Sequence, residues 1–157
     1  MRIALALGVA LISVAPSLQA QTPTPAPAAA MGNTTPGNVT RVVLLRIKPG
    51  QSDAFWNDVR RNTKPVFDEY KKRGIIVDYG YFTKSTNDGP TDWDVGYTLT
   101  YANWGAFDNL GQRTDPVTIA HYGSVEQRTA AQLARINISE LAQTFLIRQQ
   151  TPNPISK

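Results

Sequence analysis

"VDYGYFTKSTNDGPTDWDVGYTLTY", residues 77–101, alternates large and small side chains on both sides of a turn-rich tip. Its odd positions are Val77, Tyr79 and Tyr81, then Trp93, Val95, Tyr97, Leu99 and Tyr101. Its even positions are Asp78, Gly80 and Phe82, then Asp94, Gly96, Thr98 and Thr100. Side chains alternate across a strand, so each run has one aromatic side and one small or polar side. The intervening "STNDGPTD" is turn chemistry throughout, which makes the pair an antiparallel hairpin. Pairing must keep the two aromatic sides together. The expected register sets Tyr79 opposite Tyr97, Asp78 opposite Thr98 and Gly80 opposite Gly96. A register displaced by two residues satisfies the same condition.

Upstream, "RVVLLRIKPG" (41–50) is a β-branched and leucine run closed by Pro-Gly, a first strand. Ser52 then opens a helix over 53–73. Phe55, Trp56, Val59, Val66, Phe67 and Tyr70 recur at helical spacing along it. Pro65 predicts a kink or restart near Thr63, and Gly74 supplies the stop. Downstream, "NWGAFDNL" (103–110) is a short helical turn and "GQRTDPVTIAHYGS" (111–124) reads as irregular. Ser124-x-x-Gln127 is a capping box for a helix with Val125, Ala130, Leu133 and Ala134 on its inner side. "INISELAQTFLIRQ" (136–149) has β-branched ends that favour a fourth strand, while its "SELAQ" also fits a continuation of the helix. The order β-α-β-β-α-β is the ferredoxin-like α+β plan: a four-stranded antiparallel sheet with helices on one face.

The ends carry different information. Met1-Arg2, an uncharged apolar run over 3–15, Pro16 and Ala20 form the three-part pattern of a secretory signal peptide over 1–20. That run is short for a permanent span, so no membrane association is expected after cleavage, and the location is periplasmic or secreted. Residues 21–38 are proline, alanine and threonine with no charge, a composition that reads as a disordered linker. One domain is expected over 39–150, with a flexible tail over 151–157. There is no cysteine, so disulfides and thiolate chemistry are excluded. The formal net charge is +4. The one basic triplet, 71–73, falls where a helix ends and suits its dipole. A nucleic-acid face needs a broader stripe, and none is expected.

The strand and Pro-Gly entry in "VVLLRIKPGQSDAFWNDVRR" resembles the dimeric α/β-barrel superfamily, as do "VDYGYFTK", "DWDVGYTLTYANWGAF" and "ISELAQTF". The resemblance covers about 39–150. It implies two ferredoxin-like sheets packed face to face as a homodimer enclosing a barrel. Members of this superfamily include monooxygenases, haem-dependent enzymes, isomerases and stress-responsive proteins, so the resemblance implies no single activity.

The aromatic side of the hairpin is the partner for the first helix and reads as core. The other side offers Arg46, Asp78, Asp94, Thr98 and Thr100, with Gly80 and Gly96 leaving space. Closed by a second sheet, it would be a polar cavity for a small molecule. The expected ligand-binding residues are therefore Arg46, Asp78, Gly80, Gly96 and Thr98. Arg46, Asp78 and the lone His121 at the mouth are the catalytic candidates. The alternative is a structural or stress-related homodimer with no ligand. One histidine without cysteine does not make a zinc site. Nucleotide, metal-hydrolase and nucleophile-elbow motifs are absent, so no cofactor or metal is expected.

Overall fold

The computed structural model describes residues 33–86 and 89–155. The expected signal peptide and most of the expected linker lie outside them. Four strands, β1 (Thr34–Ile47), β2 (Asp78–Thr83), β3 (Val95–Tyr101) and β4 (Ser139–Pro152), form one antiparallel sheet in the order β2-β3-β1-β4. Helices α1 (Ser52–Asp58) and α2 (Lys64–Lys72) connect β1 to β2. Helices α3 (Leu110–Tyr122) and α4 (Val125–Ile136) connect β3 to β4 after a 3₁₀ turn, Trp104–Phe107. This strand order with both helical connections on one face is the ferredoxin-like fold expected from the pattern.

The helix expected to break near Thr63 does so, through a wide π-helical turn at Val59–Thr63 that joins α1 to α2. Pro65 stands in the first turn of α2, just past the π turn, where it cannot donate the backbone bond of a regular helix, which fits the interruption at this place. Gly74, at φ 64°, ends α2 in the left-handed region that favours glycine. Phe55, Val59, Val66, Phe67 and Tyr70 are buried against Val95, Leu99 and Tyr101 of the sheet. The aromatic side of the hairpin therefore does face the helices. Phe67 has Tyr70, Tyr79, Tyr81 and Tyr97 around it at ring distances of 6.2, 5.5, 6.2 and 5.5 Å.

Four expectations change. The hairpin takes the displaced register, with Gly80 opposite Thr98, Tyr81 opposite Tyr97 and Phe82 opposite Gly96. The parity is unaltered, but the two glycines do not face each other. Residues 111–122, read as irregular, belong to α3. Pro116 and the lack of an apolar stripe hid it, and only Val117 of the helix is buried. On α4 the faces are exchanged: Val125, Leu133 and Ile136 are exposed, while Arg128 and Arg135 turn toward the sheet.

Lastly, β1 begins inside the expected linker, and β4 runs into the expected tail. Thr34, Thr35 and Pro36 pair with Pro152, Thr151 and Gln150. Each end supplies the backbone partners the other lacks, and the Thr34 hydroxyl donates to Gln150 Oε1 at 3.0 Å.

Candidate functional site

The open face of the sheet, where a polar site was expected, is ordered in rows across the strands. One row is Asp78, Thr100, Thr40 and Ile147; the next is Gly80, Thr98, Val42 and Phe145. A third is Phe82, Gly96, Leu44 and Gln143, followed by Arg46 beside Glu140. Arg46 and Asp78 are thus at opposite ends of the sheet, ~20 Å apart along the strand direction, and form no pair. Arg46 donates to the Thr91 and Asp92 carbonyls at 2.6 and 3.0 Å and bridges Glu140 at 3.3 Å. It clamps the β2–β3 connection to β1. Asp78 accepts from Lys71 Nζ at 2.7 Å, and that hydrogen bond holds its carboxyl below its ordinary range. It borders a depression of about 420 Å³ with Thr40, Thr100 and Ile147.

Nor do the glycines open a chamber. The Phe82 ring lies over Gly96, where a Cβ would collide with it and come within 3.0 Å of Leu44 Cδ2. Gly80 has only the Thr98 hydroxyl near it, at 3.5 Å from an added Cβ. The centre of this face is apolar: Val42, Leu44, Phe82 and Phe145. His121 is on the other side of the sheet, near the end of α3. Its Nε2 is 3.2 Å from Asn62 Oδ1.

A different site forms between the sheet and the helices, a cavity of about 360 Å³. Its floor is Leu45 of β1, Tyr81 of β2 and Tyr97 of β3. One wall is Phe55, Val59, Thr63, Phe67 and Tyr70, from α1, the π turn and α2. The opposite wall is Thr118, Tyr122, Arg128, Gln132 and Arg135, from α3 and α4. Leu141 completes it. In β4, Leu141 pairs with Leu45 while Gln143 pairs with Leu44, so Ala142 is an extra residue. This bulge reverses the alternation and turns Leu141 from the open face to the cavity. The π turn widens the helix beside it, a feature frequent at functional sites.

The polar groups are concentrated on the α4 side. Arg135 Nε donates to Asp58 Oδ2 at 2.6 Å, tying α4 to α1. Arg135 Nη2 also donates to the Tyr122 hydroxyl. Burial disfavours the Arg135 cation, but the hydrogen bonds to Asp58 and Tyr122 outweigh it and hold the guanidinium above its usual range. Arg128 Nη1 donates to Asp115 Oδ1 at 2.8 Å and to Thr118 Oγ1 at 3.2 Å. Its Nε and the Tyr81 hydroxyl are buried with no hydrogen-bond partner among the described residues. Burial raises the Tyr70 phenol to about 12 and pushes Tyr81 and Tyr97 upward. The phenols remain protonated at neutral pH. They can donate hydrogen bonds there but cannot act as bases.

Among the described residues no cluster of histidine and acidic side chains suits a metal, and no helix is long and apolar enough to cross a membrane. Asp58, Tyr122, Arg128 and Arg135 were not anticipated. Their signal was the seven-residue spacing of Arg128 and Arg135, which sets both on one stripe of a helix.

No family model matches the chain, and no curated protein matches it. Among solved structures it is similar to HapK from Hahella chejuensis, at 13% identity and a TM-score of 0.49, covering 76% of this chain and 99% of that one. A DABB-family protein with a ferredoxin-like fold from Mesorhizobium loti is 13% identical, with a TM-score of 0.41 over 72% of this chain and 95% of that one. A dimeric ferredoxin-like protein of unknown function from Thermobifida fusca is 9% identical, with a TM-score of 0.42 over 73% and 92%. The chain has a ferredoxin-like α+β fold. These likenesses concern the fold alone, which the strand order already establishes. They assign no subfamily and no chemistry.

Proposed function

We propose that this chain is an exported, homodimeric protein that binds a small molecule in the cavity between its sheet and its helices. The observation that carries the reading is the cavity itself: about 360 Å³, aromatic on two sides and lined by polar side chains of α3 and α4. Its size falls within the ~300–1000 Å³ of ordinary ligand pockets. Export rests on the pattern of residues 1–20.

The homodimer rests on the open sheet face. Phe145 and Ile147 are 38% and 51% exposed there, beside Val42, Leu44 and Phe82. Burying each fully against a second sheet contributes about 1.5–3 kcal/mol. This division puts assembly on one side of the sheet and binding on the other.

The test is a small-molecule thermal-shift screen of wild type and Gln132→Trp. Gln132 lines the cavity from an exposed position on α4, so tryptophan there plugs the mouth without entering the core. Ligands that raise the wild-type melting temperature are expected to leave Gln132→Trp unshifted. Equal shifts in both proteins would place binding elsewhere. A screen without any hit would favour a structural homodimer with no ligand.

A further inference from the structure

We infer that the cavity takes an uncharged aromatic molecule, which enters between α4 and β4 across Ile136 and Leu141. This rests on the cavity being the ligand site and adds the chemistry of the ligand and its route. The aromatic part follows from the walls. Phe55, Phe67, Tyr70, Tyr81 and Tyr97 all line the space. Aromatic side chains favour other rings stacked or set edge-on to them.

The lack of charge follows from how the ionic groups are matched. Three ionic side chains line the cavity: Asp58, Arg128 and Arg135. Asp58 accepts from Arg135 at 2.6 Å, and Arg128 donates to Asp115, outside the lining, at 2.8 Å. Each charge already has its opposite. The phenols beside them are raised by burial and stay neutral at neutral pH. A carboxylate or an ammonium group brought inside would lose its hydration and meet no free counter-charge, which is costly. An uncharged ring loses little and gains the buried apolar area.

The route follows from exposure. Three lining residues are exposed, Gln132 and Ile136 on α4 and Leu141 on β4, while the others are buried or half-buried. These three mark the mouth. Ile136 and Leu141 are 59% and 62% exposed, so its rim is largely apolar. The bulge that turns Leu141 to this side supplies the β4 half of that rim. Such a rim attracts an apolar molecule from water and offers an ion nothing in exchange for its hydration.

The test compares three probes of similar shape by calorimetry on the mature protein at neutral pH: 2-acetylnaphthalene, 2-naphthoate and 2-naphthylmethylammonium. The uncharged ketone should bind at least about tenfold more tightly than either ion. Leu141→Asp puts a carboxylate on the rim and should weaken the ketone several-fold. Ile136→Asp makes the same comparison from α4 if Leu141→Asp does not fold. Leu133→Asp, at a residue of α4 that is 60% exposed but outside the lining, should leave binding unchanged. Either ion bound as tightly as the ketone would overturn the uncharged assignment and leave the cavity as a ligand site. Ketone binding unaffected at both rim positions, or weakened equally by Leu133→Asp, would overturn the route. No binding of any probe would overturn the whole inference, and the cavity reading would then stand or fall on Gln132→Trp.

Discussion

Gly96 and Gly80 lie on the same side of the same hairpin, yet they serve different ends. Gly96 is the seat of the Phe82 ring, and a methyl group there would displace that ring and crowd Leu44. Gly96→Ala should destabilise by about 1–3 kcal/mol, the usual cost of overpacking. Gly80→Ala meets only ordinary contact with Thr98 and should be neutral or slightly stabilising, because alanine loses less entropy on folding. Urea denaturation of the two variants checks this. Equal midpoints would mean that the Phe82 ring yields freely. The sequence showed the glycines and their face. It did not show that one of them is filled by a neighbour on the next strand.

At the scale of elements, α4 is the instructive case. Its apolar residues suggested an inner face of Val125, Ala130, Leu133 and Ala134, but the helix presents Arg128 and Arg135 to the sheet. The reason is Asp58 on α1, 77 positions away in sequence, which receives Arg135. Their side chains are 18% and 31% exposed, so the pair is intermediate between a surface bridge and a buried one. Asp58→Ala leaves a half-buried guanidinium with only Tyr122 and should cost about 1–3 kcal/mol. Chemical denaturation measures this; a loss of under ~0.5 kcal/mol would show that the pair does not fasten α4. Helix periodicity indicates that two faces exist. Which face turns inward depends on what the neighbouring element offers.

For the whole molecule, the buried tyrosines make stability sensitive to alkali. Tyr70, Tyr81, Tyr97 and Tyr101 all have phenols raised by burial, Tyr70 to about 12. Folding favours their protonated form, so this contribution is complete below the unfolded value near 10. It is lost as pH rises from there through the folded values. Stability should decline between about pH 10 and 12, with tyrosinate absorbance rising in step with unfolding. Phenols that titrate near pH 10 in protein still folded would contradict the burial. On the open face, Phe145→Glu should produce monomers in light scattering with the helix-side cavity intact, because the two features lie on opposite sides of the sheet. A variant that stays dimeric would remove that face as the interface.

The chain alone determined the four strands, the helices that follow β1 and precede β4, and the parity of the hairpin. These depend on local periodicity, on proline and glycine, and on alternation, all of which are properties of neighbouring residues. Tertiary structure decided the rest. Two registers preserve the same parity, and packing of Phe82 over Gly96 belongs to the one adopted. The extra residue in β4 is visible only once β1 lies beside it. The cavity is space left between surfaces that meet from distant parts of the chain. An empty volume has no residue of its own in the sequence, which is why the cavity between the sheet and the helices was not anticipated while the fold around it was legible.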